Sequence, residues 1–152
     1  IDAAVESCER PFRRGGSANL ESIRERLYDV MWEKVGIIRD GAGLQQAAGE
    51  LEALDAGLDG LCVTPERAFN LTWHDWLNLQ SLVATSRVIT QAALAREDSR
   101  GAHFRSDFPE PGALEQSAFT SLRSIGEQLQ VTAKPVAFTR VAPGETLLRH
   151  VA

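Results

Sequence analysis

The chain has 152 residues, 43% of them hydrophobic and 24% charged, with a net charge of −5. That length suits one domain burying roughly two thirds of the surface its unfolded chain would expose, and the composition is globular rather than disordered. The negative charge gives no electrostatic support to a general nucleic-acid or membrane-surface role.

No apolar run approaches membrane-spanning length. Positive charge is carried almost entirely by arginine, with Lys34 and Lys134 the only lysines. Arginine favours planar, bidentate pairing with carboxylates, although genome composition produces the same bias. Cys8 and Cys62 lie far apart, with no Cys-x-x-Cys and no histidine at metal-ligand spacing. They read as reduced, small apolar side chains of a cytoplasmic-type protein. The acceptor-like "NLT" at 70–72 is discounted because no signal peptide precedes it.

The chain begins at Ile1, already inside the helix-like "IDAAVESCERPF", without an initiator methionine, so it reads as a piece of something longer. That segment ends at Pro11, and the loop "RRGGSAN" follows. Asn19 is a good N-cap for a helix whose Leu20, Ile23, Leu27, Val30 and Met31 recur at helical spacing. After "GIIRDGAG" a second helix carries Leu44, Ala48, Leu51, Leu54 and Leu58 on one stripe, closed by Gly57 and Gly60. "TPER" at 64–67 has the residue order of a helix N-terminus. The third helix, from about Leu71 to Arg96, contains no Gly or Pro. Its expected inner stripe is Trp76, Leu79, Leu82, Val83, Ser86, Ile89 and Ala93, over a length of roughly 39 Å.

Three amphipathic helices joined by short loops predict a mainly α fold, an antiparallel three-helix bundle like a spectrin repeat. Residues 1–111 form this bundle with its preceding helical segment, and residues 112–152 form a β-hairpin tail packed on it. The hairpin is read from "AFTSLRSI", a turn at "GEQ", and the run "LQVTAKPVAFTRV", in which Pro135 demands an edge or a bulge. A lone hairpin is marginal in water, so it lies on the bundle or on a missing partner.

"VGIIRDGAGLQQA" imitates the strand, glycine turn and helix of a dinucleotide site, but Gln46 stands where the third glycine is needed. A helix stop at Gly36 and an N-cap at Asp40 explain it better. Trp32, Trp73 and Trp76 with Phe69 make either an aromatic binding surface or core packing, and one-turn spacing of Trp73 and Trp76 favours the core. His74 and His150 have no partner in sequence and read as surface residues.

"LAREDSRGAHFRSDFPEP" (94–111) is the densest chemistry. Arg96, Arg100 and Arg105 beside Glu97, Asp98 and Asp107 either bind an anion, with His103 as acid or base, or form a structural ion-pair network. The charges nearly cancel, and the cluster follows a helix C-terminus, where arginine caps carbonyls and offsets the dipole. Those two points favour the network.

"REDSRGAHFRSDFPE" (96–110) resembles the signature of the C-terminal helical domain of succinate dehydrogenase and fumarate reductase flavoproteins, shared with L-aspartate oxidases. Its usual form there is Arg-Glu-Glu-Ser-Arg-Gly-Ala-His-Tyr-Arg-x-Asp-Tyr/Phe-Pro. "LYDVMWEKVGIIRDGAGLQQAAGELEAL" (27–54) is similar to that domain's first two helices, and "KPVAFTRVAPGETLL" (134–148) resembles the tail of the dehydrogenase and reductase branch. Asp98, Phe104 and a 112–126 segment without the usual Trp and His depart from the pattern.

The resemblance implies a single domain cut from a larger FAD-dependent protein acting on succinate, fumarate or a related acid. Flavin and dicarboxylate groups are then held by flavin-binding and capping domains outside this chain. The chain itself carries no catalytic, cofactor-binding or metal residue. Arg96, Ser99, Arg100, Gly101, His103, Arg105 and Asp107 become candidates for an interdomain clamp. The implied partners are those two domains of the same polypeptide and an iron–sulfur subunit, with no nucleic acid and no direct membrane insertion. The implied place is the cytoplasm, or the cytoplasmic membrane face through partner subunits. The competing readings are a free-standing helical interaction module and an enzyme complete in this chain that uses His103. The last lacks a nucleophile or second acid/base group at a recognisable spacing. A small exposed apolar face is expected if a further domain covers the bundle.

Overall fold

The computed structural model describes residues 1–13, 19–126 and 128–146. The loop expectation at 14–18, Glu127 of the hairpin turn, and residues 147–152 with His150 lie outside them. The fold is mainly helical, with small sheets.

Helix α1 (Asp2–Glu9) passes into a 3₁₀ turn at Arg10–Arg13. Helix α2 (Leu20–Val35) starts where the Asn19 side chain accepts the Ser22 N–H at 3.2 Å. It stops at Gly36, where a Cβ would lie only 2.7 Å from the Trp32 carbonyl oxygen. Helix α3 (Gly41–Asp59) starts from Asp40, whose carboxylate accepts the Gly43 N–H at 2.8 Å, and Gly60 closes it. Helix α4 (Leu71–Ala95) starts from Asn70, which accepts the Trp73 N–H at 2.8 Å.

The helix start expected at "TPER" does not form. The Asn70 side-chain amide donates to the carbonyls of Thr64 and Glu66 at 2.8 and 2.6 Å. These are acceptors a helix there would need for itself. Phe69, at φ +56°, breaks the path, so α4 begins only at Leu71.

Contacts fix the helix directions. Arg24 of α2 meets Asp75 of α4 at 3.3 Å, and Met31 of α2 meets Thr90 of α4, so α2 and α4 run the same way. Ile23 at the start of α2 lies beside Gly57 at the end of α3, and Trp76 donates to the Leu58 carbonyl at 3.1 Å. Helix α3 therefore runs against both. One core joins them, with Leu27, Val30, Leu44, Leu51, Leu58, Trp76, Leu79 and Val83 essentially fully buried.

The buried positions of α4 are Trp76, Leu79, Val83, Ser86, Thr90 and Ala93, alternating three and four residues apart. That is the narrow seam of coiled-coil packing. Leu82 and Ile89, expected inside, are 42% and 44% exposed, while Thr90 is fully buried in their place. In α3 the buried alanine is Ala47 rather than Ala48. The aromatic residues divide. Trp76 is core, and Trp73 is half-buried, edge-on to Phe12 with Nε1 donating to the Cys8 carbonyl at 2.8 Å. Trp32 and Phe69 are 85% and 101% exposed, against the core expectation. Trp32 sits two residues from buried Val30, about 200° round the helix, and so points outward. His74 is exposed, as expected.

Two short sheets complete the fold. Strand β1 (Ile38–Arg39) pairs in parallel with β2 (Phe104–Arg105), Ile38 opposite Phe104 and Arg39 opposite Arg105. Strand β3 (Ala118–Ile125) pairs antiparallel with β4 (Gln128–Pro135) and lies on α4. The second run expected to reach Val141 stops at Pro135. Proline offers no N–H to a ladder, and the next N–H, of Val136, goes to the Ser117 carbonyl at the hairpin root (2.8 Å).

Candidate functional site

The β1–β2 pairing brings "VGIIRD" against "AHFRSD" across 64 positions of sequence. Around this seam lie the C-termini of α2 and α4 and the N-terminus of α3. Each end leaves unsatisfied backbone groups, and the polar side chains here are spent on them.

Arg105 is the centre, 2% exposed. One Nη donates to the carbonyls of Ala93, Leu94 and Arg96 at 3.1, 3.1 and 3.0 Å, capping the end of α4. Its Nε and other Nη make a fork with Asp107, both at 2.7 Å. The Asp107 carboxylate also accepts the Gly41 N–H at 2.9 Å, at the start of α3. A cation thus sits at a helix C-terminus and an anion at a helix N-terminus, each matching the local dipole. The Arg105 hydrogen bonds hold the Asp107 carboxyl far below the usual carboxylate range; burial opposes this and the Gly41 N–H assists. The same pairing raises Arg105 further. A Cβ on Gly41 would meet Asp107 at 3.0 Å and Arg105 at 3.2 Å, so glycine is what lets the helix start approach this pair.

Arg39 does for α2 what Arg105 does for α4. Its Nε donates to the carbonyls of Val35 and Gly36 at 3.0 and 2.6 Å, and an Nη donates to His103 Nδ1 at 2.7 Å. His103 Nδ1 is therefore the acceptor and the imidazole proton resides on Nε2. That nitrogen is buried and has no hydrogen-bond partner among the described residues. Burial, reinforced by the charges of Arg96 and Arg39, pushes the His103 pKa down.

Arg100 and Ser99 tie the turn to the segment that leads into the hairpin. Arg100 donates through Nε to the Pro111 carbonyl, through one Nη to Ser117 at 2.7 Å, and through the other to the Ala113 carbonyl at 3.0 Å. The Ser99 hydroxyl accepts the Arg105 N–H and donates to the Phe108 carbonyl, both at 2.8 Å. Arg100 and His103 exchange backbone bonds across a turn in which Gly101 adopts φ +59°, a conformation that favours glycine. Asp98 pairs with Arg96 at 2.8 Å and with Arg100 at 3.3 Å.

All seven residues singled out from sequence thus gather at one seam. Sequence reasoning missed Arg39, Gly41 and Ser106, whose N–H and hydroxyl both donate to the Arg39 carbonyl. An arginine three residues past a helix-ending glycine was the available signal for Arg39.

Chemically, the arrangement holds backbone ends rather than a ligand. Asp107 fills the fork of Arg105, the Arg100 guanidinium is spent mainly on the Pro111 and Ala113 carbonyls and Ser117, and Arg96 pairs through one Nη with Asp98. The one nitrogen of His103 that carries a proton is sealed from solvent. No group of His, Cys, Asp and Glu able to hold a metal occurs among the described residues. No described helix is long and apolar enough to cross a membrane.

Residues 24–147 match the family model for the fumarate reductase flavoprotein C-terminus. The chain is 37% identical over 97 residues to a fumarate reductase (CoM/CoB) subunit of Methanothermobacter marburgensis, covering 64% of this chain and 18% of that one. It is 40% identical over 84 residues to the L-aspartate oxidase of Rhodospirillum rubrum, covering 55% of this chain and 24% of that protein. Among solved structures, Sdh1 of Mycobacterium smegmatis in complex with UQ1 superposes with a TM-score of 0.81 at 27% identity, over 88% of this chain and 23% of that chain. The chain therefore spans roughly a fifth of the length of the curated relatives it matches.

Relatives of this kind are flavoproteins, and the β1–α3 turn is the element of this chain that imitates a flavin-diphosphate site. The strand–glycine–helix unit at β1–α3 offers its Gly41 and Gly43 N–H groups to Asp107 and Asp40. A diphosphate would have to displace two carboxylates there. With the match covering most of its length, the chain belongs to the C-terminal domain family of fumarate reductase and succinate dehydrogenase-type flavoproteins.

Proposed function

We propose that this chain is the non-catalytic structural and docking domain of an FAD-dependent oxidoreductase of the succinate dehydrogenase/fumarate reductase type. Helices α2, α3 and α4 form an antiparallel three-helix bundle, and the hairpin of β3 and β4 forms a tail laid on it. Arg96, Ser99, Arg100, Gly101, His103, Arg105 and Asp107 act as a clamp. It locks three helix ends and the hairpin root into one rigid unit that buttresses the flavin-binding and capping domains of the same polypeptide. An iron–sulfur subunit is the further partner.

The observation that carries this reading is that the buried Arg105 fork and the α3 N-terminus are both occupied by carboxylates of the chain itself. Both elements are taken up within the chain rather than held open for a flavin diphosphate or a dicarboxylate. The test is the full-length polypeptide, purified and scanned for flavin absorbance, with this chain as control. Flavin in the long form only, bleached or restored by succinate or fumarate, supports the reading. A long form without flavin defeats it in favour of a free-standing interaction module. Arg100→Ala in the long form is expected to lower thermal stability or flavin retention, and full stability with undiminished flavin would remove Arg100 from the clamp.

A further inference from the structure

The three helices leave outer grooves of unlike fate. The groove between α3 and α4 is roofed by the hairpin: Ala48, Glu52, Arg87 and Gln91 face Gln128 and Leu129 of β4. The corresponding groove between α2 and α4, about 440 Å³ along Tyr28, Leu82 and Thr85, has no roof among the described residues. It adjoins a second depression of about 490 Å³ that shares Tyr28 and continues over Met31 and Trp32 to Gly36.

The second depression is the more apolar, while the first is mixed, with Arg24, Asp75 and Asn78 beside Tyr28, Leu79 and Leu82. Tyr28 is 56% exposed, Trp32 85% and Leu82 42%, large apolar groups that line the two depressions. A contiguous patch of this kind marks an interaction surface. Its rim is acidic. Asp29 has no ion pair among the described residues, and Glu33 has only a 4.0 Å contact with its neighbour Lys34. The basic residue in the groove, Arg24, is already held by Glu21 and Asp75.

We propose that this open groove seats a basic amphipathic segment from elsewhere in the same polypeptide. Its apolar side chains cover Tyr28, Trp32 and Leu82, and its cations meet Asp29 and Glu33. The proposal rests on the flavoprotein reading above, since it needs further chain to supply the segment; the Methanothermobacter relative is several times longer than this chain. A second copy of the chain is a poor occupant. A two-fold interface would set the Asp29–Glu33 rim against itself, in a chain that already carries a net charge of −5.

The test is hydroxyl-radical footprinting of the purified full-length polypeptide, read residue by residue, with its flavin absorbance recorded on the same sample. In the wild type, Trp32 and Tyr28 are expected to oxidise as slowly as buried Trp76. In Asp29→Lys/Glu33→Lys, with Asp29→Asn/Glu33→Gln as a milder companion, Trp32 oxidation is expected to rise at least about fivefold, the scale of losing two partly exposed ion pairs. Trp76 should stay protected, reporting an intact fold. Trp32 reacting at the rate of a free indole in flavin-loaded wild type overturns the proposal and leaves the flavoprotein reading standing. Protection indifferent to both variants overturns the basic occupant, and protection lost on dilution assigns the face to a second copy instead. Absence of flavin from the wild type counts against the flavoprotein reading itself.

Discussion

Arg105→Ala is the sharpest perturbation of the seam. The arginine is 2% exposed and makes three bonds to carbonyls at the end of α4 besides its fork with Asp107. A bond from a charged donor contributes about 1.5 kcal/mol net at the low end, and a carbonyl left buried without a partner costs its desolvation. Only the bond to Ala93 is buried throughout, while those to Leu94 and Arg96 are partly open to water that can replace the lost donor. The expected loss is therefore about 3 kcal/mol, below a full three-bond sum yet a large share of the ~5–15 kcal/mol a domain has in total. In thermal melting followed by circular dichroism this corresponds to a drop of roughly 10 °C. Urea denaturation measures the same quantity directly. Arg105→Lys should recover less than half of it, because an ammonium cannot cap the carbonyls and fork to the carboxylate together. A loss below about 1 kcal/mol for the alanine variant would refute the reasoning.

Three other outcomes rest on the same geometry. Burial lowers His103 below its ordinary value near 6.5. The unfolded chain then binds that proton first, and stability falls as pH drops below about 6.5. Asp107, also depressed, adds stability that is full above the ordinary carboxylate range and lost as acid protonates it, so both groups slope the same way. Denaturation at a series of pH values checks this, and His103→Gln should flatten only the upper limb. Gly101→Ala forces an L residue to φ +59° with open space around it, a pure backbone cost of about 1–2 kcal/mol measurable by urea unfolding. Asn70→Ala removes the α4 cap and should cost about 1 kcal/mol, with faster amide exchange confined to residues 64–73.

What the sequence revealed divides along physical lines. The caps Asn19 and Asp40 and the stops at Gly36 and Gly60 are local chemistry and act in the structure as expected, whereas Gly57 stays inside α3. "TPER" failed because its competitor lies outside the motif: one Asn70 side chain takes both carbonyls that a start at Thr64 would use. The α4 stripe was misread at Leu82 and Ile89 because hydrophobic identity outweighed phase. The strict three–four alternation through Ser86 and Thr90 was present, but in small polar residues. The one-turn spacing of Trp73 and Trp76 says nothing of Trp32 on another helix, which two positions from Val30 faces outward. The seam's residues were legible as a cluster because they are contiguous in sequence. The contribution of Arg39 was not, since its bond to His103 exists only once a two-residue parallel ladder has closed a long loop.

The reading as a buttress that holds no flavin of its own is tested most directly by titrating this 152-residue chain with FAD and following the quenching of flavin fluorescence. The expected result is no saturable change at any protein concentration, because the N–H groups at α3 are already bound by Asp40 and Asp107. Saturable one-to-one quenching, removed by competing ADP, would contradict it and place a dinucleotide site inside this domain.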